Sequence, residues 1–213
     1  MQEADIELSV PVEGAPPQVV LEEILKQKGL DKERFNGRIL GVPGAVARGH
    51  FVDGEGSHYF EHVRKTMFSQ TNATRGFLLV QALAAKLVGS DPGFCKDEKI
   101  CVVAPEGRSS VYILSLANQL SKFYDPIEDH DELEARDLPF YPVPVEDFIK
   151  RDGSIGYRLS KSSAIFCRGA RSIIFVDLVN SGYTIHAVAQ VLRDAGSTVA
   201  MACSFVNQGG QTA

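Results

Sequence analysis

The chain has no tryptophan and only four cysteines among its 213 residues. Cys95, Cys101, Cys167 and Cys203 never take the two-residue spacing that a zinc site uses. Three of them lie in or beside apolar stretches, where cysteine behaves as a small hydrophobe, so neither a disulfide framework nor a structural metal is expected. Positive charge is also short. Against 27 acidic residues stand 22 basic ones, a formal charge of -5, which leaves no basic field to draw in a phosphodiester backbone. Nucleic acid is therefore not an expected partner, and any phosphate must be held locally. Long apolar runs are missing as well. Ile173 to Val176 with its neighbours falls far short of the roughly 20 residues of a membrane helix, and no charged-then-apolar leader opens the chain. These absences predict a cytoplasmic protein without a membrane partner, and a 44% hydrophobic content suffices for one sizeable core.

The first 16 residues mix Pro, Gly and acids without a period and read as a disordered lead-in, leaving 17–213 as a single domain. Val19, Val20, Ile24 and Leu25 repeat at helical spacing before Gly29, which predicts a helix over 18–28. A second helix is expected from Thr71 to Val88, with a stripe of Phe77, Leu78, Leu83, Ala84, Leu87 and Val88. Between them, the glycines and aromatics of Phe51 to Phe60 fit a turn leading into a short strand. The period then changes. Ile100 to Ala104 is a continuous apolar run followed by helical spacing over Val111 to Leu120, the pattern of a buried parallel strand feeding a helix. Ile173 to Val176 repeats it, with a helix from Thr184 to Asp194 and a third strand over Val199 to Val206. Two strand-helix units predict an α/β fold with a central, mostly parallel sheet, flanking helices and a small cap from the N-terminal and middle segments. The acidic stretch Asp125 to Asp137, with Pro126, Pro139, Pro142 and Pro144 in and after it, interrupts the alternation and reads as a long loop or part of that cap. Within it, four adjacent side chains at Asp129-His130-Asp131-Glu132 cannot all converge on one ion.

Chemistry concentrates after the second strand. Ile173-Ile174-Phe175-Val176-Asp177-Leu178-Val179 delivers one carboxylate near a strand's carboxyl end, and Asn180-Ser181-Gly182-Tyr183-Thr184 then opens a helix. Such a turn aims backbone N–H groups and side-chain donors from the positive end of a helix dipole, which suits a phosphomonoester. The neighbouring Asp177 is suited to a ribose, directly or through a hydrated metal.

Together these segments resemble the type I phosphoribosyltransferases, whose signature is an apolar strand, two acids, two apolar residues, two small hydroxyl-type residues, Gly, any residue, and Ser or Thr. The chain matches from Asp177 to Thr184, with Val176 standing where the first acid would be. Val102 to Ser110 is similar to the family's other strand-loop-helix, which implies a pyrophosphate grip by Glu106, Gly107, Arg108 and Ser109. Phe51 to Phe60 is similar to the segment near the start of orotate phosphoribosyltransferases, where paired aromatics correspond to Tyr59 and Phe60. The resemblance implies transfer between a nucleobase, orotate first, and 5-phosphoribosyl 1-pyrophosphate, with Mg2+ held by Asp177 through water and with a homodimeric assembly. It implies Asp177, Lys161 and Arg158 as catalytic residues, and Tyr59, Phe60 and Gln208 as base-binding ones.

The chain also departs from that family. The first acid is lost at Val176, which removes one partner of the ribose or of its magnesium and weakens catalysis unless a carboxylate such as Glu106 covers for it. The closing loop is reduced to Tyr157-Arg158-Leu159-Ser160-Lys161-Ser162-Ser163. Where orotate enzymes carry Asp-Arg after the last strand, this chain has Asn207-Gln208, and a neutral Gln208 forms no bidentate ion pair. The sequence ends at Ala213, earlier than the family, as a piece of a longer protein would. A non-catalytic member of the fold that binds a phosphoribosyl ligand is the rival reading, and an α/β sugar-phosphate isomerase a third. His186 is expected to face solvent, His58 and His62 to lie in extended chain, and Arg64 with Lys65 to suit an anionic substrate or to form a solvated pair.

Overall fold

The computed structural model describes residues 46–52, 58–63, 73–90, 99–107, 109–124 and 140–207. The expected lead-in, the 18–28 helix, the 125–137 stretch, Arg64, Lys65, Arg108 and Gln208 lie outside the described residues. The strands are β1 (Val46–Val52), β2 (His58–Val63), β3 (Ile100–Pro105), β4 (Phe140–Ile149), β5 (Ile155–Arg158), β6 (Arg171–Val179) and β7 (Thr198–Asn207). The helices are α1 (Ala73–Ser90), α2 (Ser110–Tyr124), α3 (Lys161–Cys167) and α4 (Tyr183–Asp194). Among them, no helix is long and apolar enough to cross a membrane.

β1 and β2 pair antiparallel as a separate ribbon, with Val46 opposite Val63 and Val52 opposite His58. The other five strands form one sheet in the order β5-β4-β3-β6-β7, parallel except for the β4–β5 pair. β3 sits at its centre and is buried at every residue, which is why its sequence is an unbroken apolar run. Alternation along the strands divides the core. Ile100, Val102, Ala104, Ile173 and Phe175 face α1 and α2, where Tyr112, Phe175 and Phe205 meet edge to face with centroids 4.9 to 6.0 Å apart. Cys101, Val103, Ile174 and Val176 face α3 and α4, against Cys167, Val188, Ala189 and Leu192. Helices thus cover both faces, as two strand-helix units require.

The Cys101, Cys167 and Cys203 thiols are free. Contact with the Cys167 thiol pulls the pKa of Cys101 down, against the opposing effect of burial, with Lys99 adding to the fall. The same contact, with burial, pushes Cys167 up.

After the acidic stretch the chain holds a strand that the sequence reading does not anticipate. Phe140 to Ile149 belongs to the main sheet, with Phe140, Val143 and Val145 buried. Pro142 and Pro144 are accommodated by geometry. A strand residue turns its N–H and C=O to the same side, and alternate residues turn to opposite sides. The Val145 carbonyl accepts from the Glu106 N–H at 2.7 Å, toward β3. Residues 142 and 144 therefore turn their donor-less nitrogens away from β3, and the stretch up to Val145 pairs with β3 alone. Beyond it, residues 146–149 pair with β5 instead, so a hairpin projects past the carboxyl edge of the sheet. In the turn of that hairpin, the Ser154 hydroxyl and N–H bind the Asp152 carboxylate and hold it below its usual range.

β6 is longer than the 173–176 run predicts and reaches Val179, so Asp177 belongs to the strand itself. The last helix starts one residue before Thr184, and the last strand extends one residue beyond each expected end.

Candidate functional site at the carboxyl edge

Because β3 and β6 are adjacent and parallel, the loops that leave their carboxyl ends are neighbours. One is the 106–109 segment before α2, the other the 180–182 turn before α4. A side-chain contact joins them. Ser109, only 7% exposed, donates through Oγ to Asp177 Oδ1 at 3.2 Å and accepts from the Asp177 N–H at 3.3 Å. Asp177 shares strand parity with Ile173 and Phe175, which turns its carboxylate toward the start of α2. The ribose-directed acid and the pyrophosphate-directed loop of the sequence reading thus form one unit, through a pair 68 positions apart.

The 106–109 loop carries Gly107 at φ +90°, where a Cβ would be strained although nothing lies within 4 Å of it. Ser110 Oγ donates to the Gly107 carbonyl at 2.8 Å and fixes the loop's exit. Glu106 is exposed, its N–H committed to Val145.

The second loop is built alike. Gly182 caps α4 at φ +85° with open space around its Cβ position, leaving room for a ligand over the helix start. The first helical bond runs from the His186 N–H to the Gly182 carbonyl at 3.0 Å. The amides before it have no intrahelical acceptor, as at every helix start. Ser181 Oγ accepts from the Tyr183 N–H at 3.2 Å, and Asn180 Oδ1 is buried with no protein partner. Thr184 Oγ1 lies 3.3 Å from the Tyr157 hydroxyl of β5. His186 is exposed, as expected.

Other predicted residues fall elsewhere. Val176, in the first acid's place, is 3% exposed and part of the core under α4. Arg158 gives its Nε to Glu146 Oε2 at 2.7 Å and lies 5.5 Å over the Phe148 ring. Alternation along β5 turns it to the face opposite Tyr157, and so away from Thr184. Lys161 opens α3 and is exposed, behind the cap that Ser160 Oγ makes with the Ser163 N–H. Tyr59 and Phe60 lie on β2, with Tyr59 opposite Phe51. Among the described residues, no group of three or more His, Cys, Asp or Glu converges as a metal site. Mg2+ is still compatible with Asp177, since it is commonly held by one or two carboxylates, waters and substrate phosphates. The expected closing loop is instead the end of β5 and the start of α3, and it is Tyr157, given no role in the sequence reading, that reaches Thr184.

No family model and no curated protein matches the sequence. Solved structures do match. The chain is similar to orotate phosphoribosyltransferase from Aeropyrum pernix, with 16% identity over 81% of each chain and a TM-score of 0.51. It is similar to adenine phosphoribosyltransferase from Saccharomyces cerevisiae, with 14% identity over 81% of this chain and 88% of that one and a TM-score of 0.55. With its mostly parallel central sheet and these likenesses, the chain has the fold of the type I phosphoribosyltransferases.

Proposed function

We propose that this protein is a phosphoribosyltransferase that uses 5-phosphoribosyl 1-pyrophosphate and a nucleobase, with orotate as the first candidate base. The observation that carries the reading is Asp177 held by Ser109 between two glycine turns at the carboxyl edge. The Asn180 to Thr184 turn would take the 5-phosphate, Asp177 the ribose hydroxyls, and the 106–109 loop the pyrophosphate. Mg2+, when bound through water to Asp177, would offset charge on the pyrophosphate. The chain's own residues fix the ribose between two anion sites, and in a reaction whose transition state is oxocarbenium-like most of the rate comes from such positioning and electrostatics. Orotate is supported by the likeness of Phe51 to Phe60 to the start of orotate enzymes, while the adenine enzyme of the same fold makes adenine the next base to try. On this reading the protein acts in the cytoplasm as a homodimer.

A second reading has its own support. The buried Val176 and the engagement of Arg158 by Glu146 remove two groups that catalysis would use, which favours a non-catalytic binder of the same ligand. Calorimetry with 5-phosphoribosyl 1-pyrophosphate, with and without Mg2+, followed by pyrophosphate release over orotate, adenine and hypoxanthine, separates the two. Mg2+-dependent binding with release supports the enzyme, and binding without release from any base supports the binder. Absence of binding refutes both.

A further inference from the structure

Tyr157 stands on β5, in the hairpin that projects past the carboxyl edge. Its ring packs against the apolar cluster under α4, so packing holds the phenol oxygen 3.3 Å from Thr184 Oγ1, over the first turn of α4. A second strap joins the same two elements: the Tyr183 hydroxyl donates to the Ile155 carbonyl at 3.4 Å. Two hydroxyls in one hydrogen bond own two protons, and their contact consumes one of them. The other is left to point at a third group. When that group is an anion, the stable order has the phenol donating to the Thr184 oxygen and the Thr184 proton pointing outward. The phenol is the more acidic donor, and each bond in such a chain polarises the next. Without the phenol, no side chain fixes the direction of the Thr184 hydroxyl, and its proton is free to turn away from the ligand.

We propose that Tyr157 is a positioning residue for the 5-phosphate: by donating to Thr184 Oγ1 it aims the Thr184 proton at the phosphate, so that the hairpin contributes to phosphate affinity without touching the ligand. This rests on the phosphoribosyl reading above.

Calorimetry on the full chain tests it, with ribose 5-phosphate and inorganic pyrophosphate as probes and four proteins: wild type, Tyr157→Phe, Thr184→Val and the double variant. Tyr157→Phe is expected to lose about 3- to 10-fold in affinity for ribose 5-phosphate, the worth of one hydrogen bond between neutral groups, and to keep its affinity for pyrophosphate. Thr184→Val should lose at least as much, and the double variant no more than Thr184→Val, because the phenol acts only through the threonine. A purely structural role would weaken both probes together. Additive losses, equal losses for the two probes, or an unchanged Tyr157→Phe overturn the assignment while leaving the phosphoribosyl reading in place. A wild-type protein that takes pyrophosphate but no ribose 5-phosphate overturns both. Should Thr184→Val unfold, Thr184→Ser replaces it: it keeps the hydroxyl, so the Tyr157→Phe loss must persist in that background, and its disappearance counts against the proposal.

Discussion

Replacing Val176 by Asp puts the missing acid back, and the structure sets its cost. Val176 is 3% exposed and packed with Val103, Val145, Ile174 and Val188. Losing the valine's burial costs about 1.5 to 3 kcal/mol. The new carboxyl has no polar partner in that cluster, so desolvation raises its pKa by about 3 to 5 units from an unfolded value near 3.9. Below that unfolded value the acid is neutral in both states and only the packing loss remains. As pH rises, the unfolded chain ionises first and the folded state falls behind by about 1.4 kcal/mol per pH unit until the raised pKa is reached. At pH 7 the ionisation cost is about 4 kcal/mol, for a total of roughly 6, a large share of the 5 to 15 kcal/mol that a domain of this size has. Urea unfolding at pH 5 and pH 7 measures it, with Val176→Asn as the uncharged control. The Asp variant should lose about 3 kcal/mol more than the Asn variant between those two pH values. An Asp variant as stable as Asn at both would mean that residue 176 reaches water at the strand end, and the reasoning would be wrong. In that event restoring the acid should raise turnover, because the position would be open to a hydrated ligand.

Three further outcomes are expected. Gly182→Val should abolish phosphate binding in calorimetry and cost about 1 to 2 kcal/mol in unfolding, since a branched residue is strained at φ +85° and fills the open space there; retained phosphate affinity would remove the anion site. Asp177→Asn should weaken Mg2+-dependent binding of 5-phosphoribosyl 1-pyrophosphate more than that of inorganic phosphate, and equal losses would make the carboxylate structural. Ser109→Ala should cost about 1 to 2 kcal/mol in urea, because it deprives a part-buried N–H and carboxylate of their shared partner. It should also reduce binding of 5-phosphoribosyl 1-pyrophosphate, and unchanged binding would detach Ser109 from the site.

The elements that were legible in the sequence carry their signal locally. β3 and β6 read as apolar runs because both faces of the sheet are covered, and α2 and α4 kept the 3.6-residue period of helices with one wet face. β4 was missed because Pro142 and Pro144 are breakers in any local reading, and only the pairing partner decides whether their missing donors matter. The order of residues in the Asn180 to Thr184 turn was legible, since its glycine and hydroxyls are contiguous. The Ser109–Asp177 and Tyr157–Thr184 contacts were not, because they are products of topology rather than of spacing. Val176 shows the limit of motif matching: the motif asks for an acid there, while alternation along β6 turns that position into the core.

The two prolines of β4 bear on how the chain avoids its own kind. Along residues 142–144 the outer side of β4 pairs with no strand among those described, and a strand edge left open invites a foreign strand to add to the sheet. The nitrogens of residues 142 and 144 face that side, and both residues are proline. An incoming strand would find no donor at either position. This edge is therefore a poor template for amyloid-like growth, even in a half-folded chain emerging from the ribosome, and substituting both prolines by valine would be expected to raise aggregation during refolding before it changed anything at the ligand site.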